Sequence, residues 1–203
     1  MISNWARQRG QVVLNAIARA LDQLGFTPNA LTLIGFFATC GVGLVLASGN
    51  LALGGALIIV AGVFDALDGT LARLTNRVSK FGAFLDSTTD RFAEGALFLG
   101  ILFWFHQRGV AYVTYLVYLA LLGSLMVSYA RARAEGIGVA CKEGMLTRFE
   151  RFVILILGLL LTALWGDAPI LLALVILAVM TNVTAVQRMW LVWKATRREN
   201  SKF

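Results

Sequence analysis

The sequence predicts an all-α membrane protein: an N-terminal interfacial amphipathic helix followed by six transmembrane helices around a cytoplasm-facing polar cavity. Three observations lead there. Of 203 residues, 59% are hydrophobic and only 14% charged, the balance of a multi-spanning chain and not of a soluble domain. Apolar stretches of about 20 residues, the length that crosses a bilayer, follow one another at 29–48, 51–73, 82–106, 109–131, 150–166 and 168–190. The basic residues collect in alternate connections, as they do in membrane proteins whose cytoplasmic loops are positive.

Each element has its own reason. In residues 1–26, Trp5, Val13, Ile17, Leu21 and Leu24 recur at helical spacing while Arg7, Arg9, Arg19 and Asp22 occupy other faces, which predicts a helix lying in the membrane interface and not a cleaved leader. Thr27 and Pro28 offer a cap and a first-turn proline for the first span. The membrane domain is expected to run from 27 to 194, and a basic cytoplasmic tail from 195 to 203. Trp104, Trp165, Trp190 and Trp193 fall near span ends, where interfacial aromatics collect. Abundant glycine and alanine permit close helix packing.

Orientation follows from the basic residues. One side receives Arg7, Arg9 and Arg19, then Arg73, Arg77 and Lys80, then Arg131, Arg133, Lys142, Arg148 and Arg151. Arg188, Lys194, Arg197, Arg198 and Lys202 complete that side, and the other receives Arg108 alone. Both termini are therefore expected in the cytoplasm, with the chain in the cell's inner membrane. The net charge of +7 is explained by this bias and by attraction to anionic lipid, so nucleic acid is not an expected partner. Cys40 falls in a span and Cys141 in a cytoplasmic loop, and both are expected as reduced thiols. His106, the single histidine, marks a helix end on the far side.

Function concentrates between Asp65 and Asp90, which reads Asp65-x2-Asp68-Gly69-x2-Ala72-Arg73-x8-Gly82-x3-Asp86-x3-Asp90. Carboxylates near a bilayer are costly unless a cation or water compensates them. Asp65 and Asp68 share one helix face, as do Asp86 and Asp90. Two helices packed antiparallel across the polar link 75–80 would bring all four together. Oxygen ligands without histidine or thiolate suit Mg²⁺ or Mn²⁺. Gly69 and Gly82 leave room for close approach, and Arg73 presents a fork of donors suited to phosphate. A cation transporter using the same four aspartates is the non-enzymatic alternative.

The spacing resembles, position for position, the signature of the CDP-alcohol phosphotransferase family, membrane enzymes that build phospholipid headgroups. The resemblance implies that Asp65, Asp68 and Asp86 hold one or two divalent ions and that Asp90 is a ligand, the catalytic base, or both. It implies further that Asp68, Gly69, Ala72, Arg73 and Gly82 bind the CDP-lipid, and that the protein is a homodimer.

A second constellation bears on the acceptor. Ser128-Tyr129-Ala130-Arg131-Ala132-Arg133-Ala134-Glu135 is followed by Arg148-Phe149-Glu150-Arg151, and Arg188 comes late. This order resembles that of bacterial phosphatidylinositol-phosphate synthases within the family. It departs at Phe149, where proline is usual, and at Arg131, where lysine is common. The resemblance implies that Ser128, Arg131, Arg133, Arg148 and Arg188 bind the phosphate of a phosphorylated polyol, inositol 1-phosphate, and that the donor is CDP-diacylglycerol. Glycerol 3-phosphate as acceptor and an ether-lipid donor are the alternatives.

Overall fold

The computed structural model describes residues 2–141 and 144–200, with side chains described for 10–141 and 144–197. The side chains of Trp5, Arg7, Arg9, Lys142, Arg198 and Lys202 lie outside the described residues. Among the described residues all regular structure is helical: α1 (Ile2–Gln23), α2 (Pro28–Ala47), α3 (Leu51–Leu74), α4 (Lys80–Gln107), α5 (Ala111–Gly136), α6 (Arg148–Leu160), α7 (Thr162–Trp165) and α8 (Ala168–Asn200). Thr27 caps α2 as its sequence position predicts, its hydroxyl accepting the Ala30 N–H at 3.2 Å.

Among the described residues, four helices are long and apolar enough to cross a membrane: α2, α3, α5 and the stretch Ala168–Arg197 of α8. The six predicted spans differ from these at two places. In α4, 28 residues long, the charged Lys80, Asp86, Asp90, Arg91 and Glu94 all lie between its start and Glu94, near its middle. The segment predicted as one span at 150–166 is divided into α6 and α7. The Thr162 hydroxyl donates to the Leu159 carbonyl at 2.6 Å, competing for the backbone acceptor at the point of division. At the other end of the chain α8 runs past 194 to Asn200, so residues 195–200 continue the last helix.

The helices group into two compact units. The first comprises Met1–Leu44 and Ala56–Leu97, the second Val45–Gly55 and Phe98–Phe203. In the first, Ala18 of α1, Leu31 of α2, and Leu67 and Leu71 of α3 form a buried cluster, against which Leu14, Leu21 and Phe26 pack. One face of α1 thus rests on α2 and α3, while Val12, Val13, Ile17 and Leu24 remain exposed. Two glycines bring α2 close to its neighbours. A Cβ at Gly35 would stand 3.0 Å from the Phe64 Cβ of α3, and one at Gly43 would stand 2.6 Å from the Ala96 carbonyl oxygen of α4. Small residues serve this purpose where helices meet within a membrane.

In the second unit α8 is the centre. It packs against α5 where a Cβ at Gly123 would fall 2.0 Å from Thr181 Oγ1, and against α6 where one at Gly158 would fall 2.6 Å from the Ala173 Cβ. Asn182 ties the first seam by donating to the Leu119 carbonyl at 2.9 Å. Arg108 pairs with Asp167 and lies over the Trp104 ring, 5.3 Å from its centroid. His106, exposed at the end of α4, is a helix-end residue.

Candidate active site

The final turns of α3 and the first turns of α4 carry the aspartate signature. Asp65 and Asp68 lie one turn apart on α3, the chain reverses through residues 75–79 with Asn76 at φ 53°, and α4 begins at Lys80. Asparagine tolerates that left-handed backbone better than most residues. Ser79 caps α4, its hydroxyl accepting the Gly82 N–H at 2.9 Å.

This arrangement brings Asp65, Asp68 and Asp86 together, each offering a carboxylate oxygen within 4.8 Å of the others. Asp68 is buried, Asp86 half-buried and Asp65 exposed, so the trio opens from a covered end to an accessible one. Three like charges this close repel one another unless a cation sits among them. An all-oxygen set from two helices fits a hard divalent ion. Asp90 is not one of the three, and the expected gathering of four carboxylates is narrowed accordingly. It stands one turn beyond Asp86, about 6 Å along the helix axis, and its Oδ2 lies 3.6 Å from Arg91 Nη2.

The remaining signature residues surround the trio in sequence and on the same helices. Arg73 is exposed on the last turn of α3, with Nη2 3.4 Å from Thr70 Oγ1. A Cβ at Gly69 would meet Arg73 Nη1 at 3.2 Å, so this glycine leaves space for the guanidinium. At Gly82 a Cβ would meet Asn29 Oδ1 and Ser79 Oγ, both at 3.1 Å. Ala72, half-buried between them in sequence, adds little bulk. Two neighbours from α2 escaped the sequence reading: Asn29, and Thr32, whose hydroxyl donates to Asp68 Oδ2 at 2.6 Å. No signal in a single sequence ties an α2 threonine to an α3 carboxylate.

In the second unit the basic residues have distinct settings. Arg188 of α8 is 4% exposed and its Nη1 donates to the Val127 carbonyl at 2.7 Å, while its Nε would stand 3.0 Å from a Cβ at Gly144. Adjacent Gln187 accepts the Met145 N–H at 3.2 Å. Arg131 and Glu135 lie near enough to act electrostatically on Arg188. Arg131 is paired with Glu135 at 2.9 Å across one turn of α5. Arg148 lies over the Phe152 ring at 5.4 Å, Ser128 bonds back to the Ser124 carbonyl at 3.1 Å, and Arg133 is exposed. Glu150, in the Arg148–Arg151 run, forms a capping box with Thr147 at the start of α6. Its Thr-x-x-Glu spacing is legible in the sequence.

Long apolar helices carrying three clustered carboxylates define a membrane protein equipped to hold a divalent cation. The chain belongs to the CDP-alcohol phosphatidyltransferase family, whose model matches residues 26–195. It is 37% identical over 183 residues to the archaetidylinositol phosphate synthase of Methanothermobacter thermautotrophicus, covering 90% of this chain and 91% of that one. It is 35% identical over 187 residues to the phosphatidylinositol phosphate synthase of Mycobacteroides abscessus, covering 91% and 85%. Among solved structures, the phosphatidylinositol phosphate synthase of Mycobacterium tuberculosis with CDP-DAG bound superposes with a TM-score of 0.83 at 33% identity, covering 89% of this chain and 94% of that one. The same enzyme in complex with manganese and citrate gives 0.81 at 32%, with 89% and 88% covered. The protein is therefore a multi-pass membrane phosphatidyltransferase, and the cation-transporter alternative falls away.

Proposed function

We propose that the protein transfers the phosphatidyl group of CDP-diacylglycerol to a hydroxyl of inositol 1-phosphate, giving phosphatidylinositol phosphate and CMP. The observation that carries this reading is the aspartate trio in a chain whose relatives are named for making inositol-phosphate lipids across nine-tenths of its length. Asp65, Asp68 and Asp86 hold Mg²⁺ or Mn²⁺. A bound divalent ion neutralises pyrophosphate charge and steadies the departing CMP. Asp90 accepts the proton of the attacking hydroxyl, or shares in holding the metal. The acceptor oxygen then bonds to the lipid-side phosphorus as the bond from that phosphorus to CMP breaks. Arg73, with Asp68, Ala72 and the backbone at Gly69 and Gly82, orients the CDP moiety. Ser128, Arg131, Arg133, Arg148 and Arg188 bind the acceptor phosphate, which unphosphorylated inositol lacks.

The membrane arrangement completes the proposal. α1 lies in the interface, its exposed Val13 and Ile17, and Leu24 just past its end, toward lipid. Residues 27–194 form the catalytic membrane domain, and 195–203 the basic end on the cytoplasmic side. α4 and the α6–α7 pair join the four long apolar helices as spans. α4 is about 42 Å long at 1.5 Å per residue, and its half beyond Glu94 carries no Asp, Glu, Lys or Arg. Both termini and the aspartates face the cytoplasm, and the protein is a homodimer in the inner membrane. An ether-lipid donor is the second reading, favoured by the archaeal relative's 37% identity.

Release of CMP from CDP-diacylglycerol and from its ether analogue, measured with inositol 1-phosphate, glycerol 3-phosphate and free inositol, tests the assignment. Turnover is expected with inositol 1-phosphate and not with free inositol. Each charge-assisted hydrogen bond to phosphate contributes about 1.5–3 kcal/mol, so Arg131→Ala, Arg148→Ala and Arg188→Ala should each raise KM for inositol 1-phosphate roughly tenfold or more and leave that for CDP-diacylglycerol nearly unchanged. Arg197→Ala should change neither. Turnover of glycerol 3-phosphate alone would replace the acceptor.

A further inference from the structure

Thr32 sits on α2, ahead of the signature in sequence and half-buried. Its single hydroxyl proton has two acceptors within reach: Asp68 Oδ2 at 2.6 Å and the Pro28 carbonyl one turn back at 3.2 Å. The second is the ordinary partner of a helical threonine. The first is shorter and anionic, in the range of charge-assisted O–H···O⁻ bonds, and it takes the proton. Asp68 is the covered member of the trio, 7% exposed. A bond from α2 to Oδ2 restrains the carboxylate's rotation, and a carboxylate with about four lone-pair sites keeps others for a cation. Three residues earlier on the same helix, Asn29 stands against Gly82 of α4. The first turns of α2 therefore contact both halves of the signature.

We propose that Thr32 is a positioning residue whose hydroxyl holds the Asp68 carboxylate in the orientation that binds the divalent ion. Partners of this kind behind metal ligands commonly change metal affinity by about 10–100-fold when removed. The proposal rests on the metal reading of the trio.

The test measures Mn²⁺ binding to the purified full-length protein in detergent by electron paramagnetic resonance, alongside the metal dependence of CMP release. Thr32→Val keeps the shape and removes the donor, and should weaken Mn²⁺ binding by about tenfold or more with little change in the metal-free melting temperature. Activity should recover at high metal, so that the metal requirement shifts more than kcat. Thr32→Ser keeps the hydroxyl and should stay within about threefold of wild type, against the tenfold loss expected of valine. In an Asp68→Asn background, Thr32→Val should have no further effect on residual Mn²⁺ binding, because the two act as one unit. Wild-type affinity in Thr32→Val, or equal losses in the valine and serine variants, overturns the role given to Thr32. Should valine fail to fold, the serine variant decides alone: a tenfold loss there overturns the proposal, and retained affinity supports it. Absence of Mn²⁺ binding in the wild type overturns instead the metal reading beneath it.

Discussion

Replacing Asp86 by asparagine should destroy activity and stabilise the metal-free protein. The side chain keeps its size and loses its charge. With carboxylate oxygens no more than 4.8 Å apart, each pair of ionised members repels by about 1–3.5 kcal/mol for effective dielectric constants between about 80 and 20. Asp86→Asn removes two of the three pairs. Proton uptake by one member relieves part of this repulsion in the metal-free wild type, so a net gain of about 1–3 kcal/mol is expected, below the roughly 2–7 kcal/mol of two full pairs. For a chain of this length, that gain raises the melting temperature by roughly 2–12 °C. The measurement is thermal unfolding of detergent-solubilised wild type and variant in EDTA and in Mn²⁺, with CMP release from CDP-diacylglycerol in parallel. In EDTA the variant should melt higher. In Mn²⁺ only the wild type should gain further, and turnover of the variant should fall by two orders of magnitude or more, about 3 kcal/mol in transition-state terms. A variant that melts lower in EDTA, is still stabilised by Mn²⁺ and keeps a tenth or more of wild-type turnover would refute both the charge account and the metal site.

Single-cysteine probes in a Cys40→Ser, Cys141→Ser background report orientation: positions beside Lys80 and Lys142 should label from the cytoplasmic side and one beside Arg108 from the other, and the reverse pattern would overturn the topology. Gly123→Ala places a methyl 2.0 Å from Thr181 Oγ1 and 2.7 Å from Asn182 Nδ2, so it should destabilise the α5–α8 seam by about 1–3 kcal/mol. Gly62→Ala, where a Cβ meets nothing within 4 Å, should be near neutral or slightly stabilising in the same thermal assay.

The elements and the signature were legible in the chain itself. Hydrophobic runs place α2, α3, α5 and α8 within a few residues of their observed starts, because an apolar stretch long enough to span a bilayer satisfies its backbone only as a helix. Thr27 announces the start of α2 by a local bond across three residues, and the three-residue spacing of Asp65 and Asp68 puts both on one face. These features depend on interactions within a turn or two. The tertiary structure decided the rest. Asp86 joins Asp65 and Asp68 while Asp90 does not, since membership depends on where α3 and α4 approach and not on spacing along either. The division at Leu161 and Thr162 depends on which carbonyl a hydroxyl finds. Thr32 reaches Asp68 because α2 packs closely enough on α3 for an oxygen-to-oxygen distance of 2.6 Å, a closeness set by small residues such as Gly35. Periodicity specifies which face a side chain occupies, but only packing specifies what that face meets.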